Sequence, residues 1–142
     1  MNSNTPEMYI STSDYSSIRS DGGRTLTVTV PASIVVAGSG TYSTSSSVEL
    51  GGLGAGLRAQ IESSKDSGKR YVGLWQDRFR IGTESGFPAT YDIFVVLSRS
   101  SATTLTLTAT VFNPYAGALT CAAGAETFTA YVRTLVSPFE EQ

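Results

Sequence analysis

Apolar and polar residues alternate with a period of two along much of the chain. In residues 25–30 a leucine and two valines alternate with three threonines, which places the apolar side chains on one face. Residues 101–112 repeat this design at greater length, with Leu105 and Leu107 on the apolar face. Residues 126–136 also alternate, but both faces carry apolar side chains. The pattern predicts three strands, of which the last is covered on both faces.

Four shorter segments predict further strands. Residues 33–36, 42–50 and 57–62 are short runs in which apolar or β-branched residues recur between glycine- and serine-rich connections. Residues 90–97 form the most continuously apolar run and are rich in β-branched and aromatic residues. That composition is typical of a central strand with both faces covered, so we expect it in the middle of the core.

The segment 71–82 predicts a β-hairpin. Residues 71–75 and 78–82 have strand composition, and only Gln76 and Asp77 separate them. A two-residue connection between two strand-like runs favours a tight turn, so we place the turn at these two residues.

The spacing of these segments predicts the fold class. About eight or nine strands with Gly- and Ser-rich turns and no amphipathic helix indicate an all-β protein, an antiparallel β-sandwich resembling a jelly roll. A compact barrel is the alternative. We expect one domain over residues 24–142, preceded by a polar arm, residues 1–23, that is flexible or becomes ordered on a partner. The predicted core contains Leu26, Val28, Trp75, Ile93, Val95, Leu105, Leu107 and Phe128.

Composition removes several function classes. The 142 residues include 20 serines and 18 threonines. The chain has 10 cationic and 12 acidic residues, so no basic surface for nucleic acid is expected. The chain has no histidine and one cysteine, which excludes histidine chemistry, histidine-bound metals and an intrachain disulfide. We expect Cys121 to be buried and predict no cofactor and no metal site.

The chain carries no pattern typical of export or membrane insertion. Residues 1–7 contain no basic segment followed by an apolar one, so no secretory signal is predicted. The apolar run 93–97 is far shorter than the roughly 20 residues of a membrane-spanning helix. Two explanations fit: an extracellular protein whose signal was removed, or a protein made in a host cytoplasm and released within a virion.

Residues 71–91 contain the most suggestive chemistry, because aromatic side chains and arginines are mixed there. Such a mixture fits core packing, a subunit interface or a ligand surface that stacks on sugar rings. A glycan hydrolase that uses Asp77 and Glu84 is a further possibility, although nothing specific supports it. No catalytic residue is therefore predicted. The ligand, receptor or interface candidates are Tyr71, Trp75, Asp77, Arg78, Arg80 and Tyr91.

Two stretches of the chain resemble β-rich modules of bacteriophage virion appendages. In residues 104–113 a threonine-rich strand ends at an Asn turn, a loop of small residues follows, and residues 126–132 form a closing strand before Ser137-Pro138-Phe139. The segment 25–36 is similar to the opening of such a module. Together these stretches cover about half of the chain.

The resemblance implies a non-enzymatic virion protein, such as a tail-fibre, spike or minor capsid component. It implies a homo-oligomer, with a trimer favoured, that contacts other virion proteins and a glycan or protein of the host surface. The alternative is a carbohydrate-binding module or adhesin domain of a secreted protein. In either case, receptor contacts are expected in loops on a rigid scaffold.

Overall fold

The computed structural model describes residues 24–49, 56–65, 69–70, 73–101 and 103–135. The predicted arm, residues 1–23, lies outside the described residues. All regular elements of the described part are strands. In chain order they are β1 (Arg24–Val30), β2 (Val35–Val36), β3 (Thr41–Glu49), β4 (Gly56–Ser63), β5 (Lys69–Arg70), β6 (Leu74–Glu84), β7 (Phe87–Arg99), β8 (Thr104–Phe112), β9 (Leu119–Thr120) and β10 (Glu126–Leu135).

These strands form two antiparallel sheets that pack as a sandwich, which confirms the predicted fold class. The four-stranded sheet has the order β1-β10-β4-β5, and the six-stranded sheet has the order β2-β9-β6-β7-β8-β3. Three of the strands contain only two residues, so seven longer strands carry most of the pairing. Strand β1 of one sheet packs against β3 and β8 of the other, and this side of the sandwich therefore closes as in a barrel.

The alternation seen in the sequence decides which side chains enter the core. In β1 and β8 the leucines and valines point inward, while the threonines between them point outward. Every residue of the predicted core is buried, and Trp75 meets Phe128 edge to face across the two sheets with ring centroids 6.5 Å apart. Burial of these apolar side chains is the main source of stability in such a sandwich.

The outward threonines and serines pair with one another across neighbouring strands. On the six-stranded sheet, hydroxyl oxygens of β3 and β8 lie 2.8–3.0 Å apart in three successive rows. On the four-stranded sheet, β1 and β10 contribute two similar rows, at 3.0 and 3.4 Å. Cross-strand hydroxyl pairs of this kind add modest stability to each sheet and keep its outer face polar.

The hairpin lies elsewhere than predicted. Strand β6 runs unbroken from Leu74 to Glu84, so the turn predicted at Gln76 and Asp77 is wrong. The chain reverses instead at Ser85 and Gly86, which follow Glu84 directly and both have positive φ, 54° and 83°. Two consecutive residues with positive φ form the type of turn whose twist matches the flanking strands, and Ser-Gly supplies it.

Strand β7 occupies the predicted central place but not the predicted environment. It pairs with β6 on one side and β8 on the other, which confirms a position inside the sheet. Its side chains alternate between buried and exposed, and Val96 is 40% exposed. The prediction that both faces of this segment are covered is therefore wrong, because its outer face is open to solvent.

A buried asparagine holds the loops at one end of the sheet. The Asn113 side-chain Nδ2 donates to the carbonyl oxygens of Val36, Ala37 and Gly117 at 2.8–3.1 Å, and its Oδ1 accepts from Tyr115 N at 2.8 Å. These bonds connect Val36 and Ala37, at the end of β2, with the loop that follows β8. Asn113 thus fixes the connection that follows β8.

Candidate functional site

The predicted candidates divide between the interior and the outer face of the six-stranded sheet. Trp75 is a core residue with 1% of its surface exposed, so its indole ring does not reach solvent in this structure. Tyr71 lies outside the described residues. Arg78 is exposed on β6, whereas Asp77, Arg80 and Tyr91 point between the sheets. The five candidates within the described residues therefore do not form one surface.

Asp77 and Arg80 belong to an interior ion-pair cluster. The Arg80 guanidinium lies 2.8 Å from the Asp77 carboxylate and 3.0 Å from Glu126 on the facing sheet. Ser63 donates its hydroxyl to Glu126 at 2.6 Å. Both carboxylates are almost fully buried, so the arginine between them compensates charges that water cannot reach. The cluster joins the two sheets and has a structural role.

The positions of Asp77 and Glu84 do not suit a glycosidase. They lie on the same strand seven residues apart, which separates their α-carbons by about 20 Å. The two carboxyl groups of a glycosidase lie roughly 5–10 Å apart. The Asp77 carboxylate is moreover bound to Arg80.

Tyr91 and Cys121 form a second interior contact. The Tyr91 hydroxyl accepts a hydrogen bond from Ala122 N at 3.0 Å, and both side chains are buried. Burial raises the pKa of the Tyr91 phenol and the pKa of the Cys121 thiol, since each charged form would lose its hydration. The Cys121 thiol is therefore protonated at neutral pH. The prediction that Cys121 is buried is confirmed.

A cleft of about 270 Å³ opens beside these two interior contacts. Arg80, Glu126, Tyr91 and Lys65 are among the residues that line it. Arg80 and Glu126 are paired with each other.

The outer face carries an unusual residue, Phe79. The register of β6 against β7 shifts between Asp77 and Arg80, so that Arg78 and Phe79 together lie opposite Asp92. This β-bulge gives Phe79 a φ of 60°, a conformation that costs energy for any residue with a β-carbon. The Phe79 amide donates a hydrogen bond to Asp92 Oδ1 at 2.9 Å. This bond replaces the cross-strand backbone hydrogen bond that the bulge interrupts.

Phe79 forms one wall of an aromatic groove of about 300 Å³. The ring is 73% exposed. Two further aromatic side chains, Phe94 of β7 and Phe112 of β8, line the same groove, and Asp92 lies between the strands that carry Phe79 and Phe112. We use the term aromatic groove for the surface formed by Phe79, Thr90, Tyr91, Asp92, Phe94, Phe112, Pro114 and Tyr115.

Tyr115 gives the groove a fixed end. Its hydroxyl accepts from Thr90 N at 3.1 Å and donates to Thr90 O at 2.8 Å, at the point where β7 extends beyond its pairing with β8. Two hydrogen bonds to the backbone of one residue hold the loop after β8 against β7. The wall of the groove is therefore positioned before any ligand arrives.

The sequence analysis did not predict this surface, and of its candidates only Tyr91 lines it. The outward row of threonines in β8 ends at Phe112, and parity is a signal that could have placed that ring outside. The outward direction of Phe79 depends on the bulge, which reverses the alternation and leaves no recognisable mark in the sequence. Asp92 and Tyr115 were missed because their roles arise from contacts across strands.

Comparison of the chain with protein-family models, with curated proteins and with solved structures found no match. In the described part of the chain, no three or more Cys, Asp or Glu side chains group in a way that could hold a metal ion. The described residues also include no helix long and apolar enough to cross a membrane.

Proposed function

We propose that the protein is a non-enzymatic structural component of a virion, of the tail-fibre, spike or minor capsid kind. In this proposal it acts in assembly and in attachment to a host surface. The resemblance of residues 25–36, 104–113 and 126–132 to phage appendage modules supports this class. The distribution of exposed apolar side chains supports the choice of the six-stranded sheet as the interacting surface.

That distribution is the observation that carries the proposal. Every large apolar side chain that is exposed, among the residues whose side chains the structure describes, belongs to the six-stranded sheet. Contiguous exposed apolar surface on a soluble domain is typical of an interaction site. The residues are Val35, Leu74, Phe79, Ile81, Phe87, Val96 and Phe112.

Two of these residues lie on the outer face of the sheet near its β2 edge, and we call them the assembly patch: Val35 and Ile81. Val35 pairs with Thr120, and Thr120 pairs in turn with Thr83 of β6, two residues from Ile81. The two side chains are 64–65% exposed. Burial of such side chains against another copy of the chain supports a homo-oligomer, and the resemblance favours a trimer.

The molar mass in solution tests the assembly role. Light scattering behind a sizing column, over a wide range of protein concentration, should give a constant trimeric mass for the wild type. Ile81→Lys places a charge in the assembly patch and should lower the mass, whereas Val96→Lys, on the same sheet outside the patch, should not. A wild-type chain that is monomeric at every concentration would contradict the proposed oligomer.

The aromatic groove supports the attachment role. It lies on the outer face of the same sheet, and Ile81 of the assembly patch pairs with Thr90 at its border. The alternative function, a carbohydrate-binding module, also draws its support from this groove, because Trp75 is buried. The ligand class of the groove therefore separates the possibilities.

A further inference from the structure

The aromatic groove combines apolar walls with a single charge. Asp92 is the one charged side chain that lines it among the described residues. Its Oδ1 accepts from the Phe79 amide, and its Oδ2 has no hydrogen bond within the described part of the chain. No ion pair to this carboxylate occurs there either. The groove therefore carries one negative charge that the described residues do not neutralise.

The walls favour a cation as well. The faces of phenyl rings carry negative electrostatic potential and attract cations that approach within about 6 Å of the ring centre. Phe79 already shows this property, because the guanidinium carbon of Arg78 lies 5.9 Å from its centroid. Since the Phe79 ring is 73% exposed, it also remains accessible to a ligand.

The hydrogen-bonding groups of the groove narrow the type of cation. A lysine-like ammonium brings three N–H donors, and each must find an acceptor when it leaves water. The groove offers the Asp92 carboxylate and the Thr90 hydroxyl, and its other walls are mainly aromatic rings. A quaternary ammonium has no N–H donor, so aromatic walls can surround it without leaving a donor unsatisfied.

The size of the groove agrees with a small ligand. Its volume of about 300 Å³ lies at the lower end of the roughly 300–1,000 Å³ that small-molecule pockets occupy. The hydrogen bonds of Tyr115 to Thr90 and of Phe79 to Asp92 hold two of its walls in place, which limits the entropy lost on binding.

We propose that the aromatic groove binds a small quaternary ammonium compound, with Asp92 as the counter-charge and Phe79, Phe94 and Phe112 as the surrounding rings. This inference goes beyond the proposed structural role and does not depend on it, since the groove is formed within one chain.

The test is a titration of the whole chain with choline, followed by the backbone amide resonances of Phe79 and Asp92. The control ligand is the neutral isostere of choline, in which a tert-butyl group replaces the trimethylammonium group. Choline should shift the groove resonances saturably, and the isostere should bind at least about fivefold more weakly.

Two variants should locate the interaction. Asp92→Asn retains an oxygen that accepts from the Phe79 amide, so the bulge is preserved while choline affinity falls about tenfold. Phe112→Ala should lower the affinity by about fivefold. The control variant Glu49→Gln also removes one negative charge and should leave the affinity unchanged. Glu49 lies at one end of β3, and Thr41, which pairs with Phe112, lies at the other end.

The contrary results are equally specific. Equal binding of choline and its isostere, or equal affinity of wild type and Asp92→Asn, would overturn cation recognition. No saturable shift with choline would overturn the site, and a saturable shift with N-acetylglucosamine alone would make it a neutral-glycan site. The oligomer test is independent of these results, because choline binding and molar mass are measured separately.

Discussion

Phe79 combines a left-handed backbone with a side chain that is mostly in solvent. In the left-handed backbone region, a residue with a β-carbon raises the free energy of the folded state by roughly 1–2 kcal/mol. The Phe79 ring is mostly exposed, so its packing offsets little of this cost. Strained residues of this kind persist where they serve a function, and bulges commonly redirect a side chain at such sites. Here the bulge directs the ring into the aromatic groove.

Replacement of this ring should therefore stabilise the fold. Asparagine tolerates positive φ, so Phe79→Asn should raise the free energy of unfolding by about 0.5–1 kcal/mol while it weakens ligand binding. Urea denaturation followed by circular dichroism measures the change. Phe112→Asn is the matched control, because Phe112 is also exposed but has no positive φ, and it should lower stability. A stability loss of more than about 1 kcal/mol in Phe79→Asn would show that the ring contributes packing.

At the scale of elements, period two predicted the strands and their inward faces. The inward faces of the three threonine-rich strands follow from alternation alone, because side-chain direction in a strand depends only on parity. Ile93 and Val95 were predicted from the continuously apolar run that contains them, and they are also buried. The prediction failed where parity is interrupted. At Arg78 and Phe79 one strand gains a residue, and a single continuous β6 was interpreted as two strands with a turn between them.

The contacts that complete the site depend on distant parts of the chain. Arg80 and Glu126 are 46 residues apart and meet only because the two sheets pack face to face. Tyr115 reaches Thr90 across 25 residues. No local pattern encodes such pairs, so the sequence predicted the strands more fully than the groove.

The connection between β8 and β9 provides a test at this scale. Asn113 is fully buried and binds three carbonyl oxygens, so Asn113→Ala should lower the free energy of unfolding by about 3 kcal/mol. Asn113→Asp has nearly the same shape but replaces the donor with a carboxylate facing three carbonyl oxygens, and we expect a larger loss. Chemical denaturation of both variants checks the order. Equal stability of wild type and Asn113→Asp would contradict the role of Nδ2 as a donor.

At the scale of the whole molecule, the interior ion-pair cluster connects the two sheets. Arg80→Met would leave Asp77 and Glu126 buried without the guanidinium, and the free energy of unfolding should fall by about 3 kcal/mol. Arg78→Met removes a neighbouring exposed arginine and should change stability by less than about 0.5 kcal/mol. Thermal and urea unfolding of the two variants measure the difference. Similar losses in both would contradict a specific role for the cluster.

The arrangement of the sheet edges has a consequence for behaviour at high protein concentration. Each sheet ends on one side in a two-residue strand, β5 or β2, and on the other side in a long strand, β1 or β3, and these long strands pack against each other. Fibrils grow when a free strand edge offers a long row of backbone donors and acceptors to another chain. Among the described residues, β9 pairs with only two residues of β6, and β5 pairs with only two residues of β4, so the rest of each long strand has an open edge on that side. We therefore expect any fibril to form by pairing along β6 or β4 and not along β1 or β3.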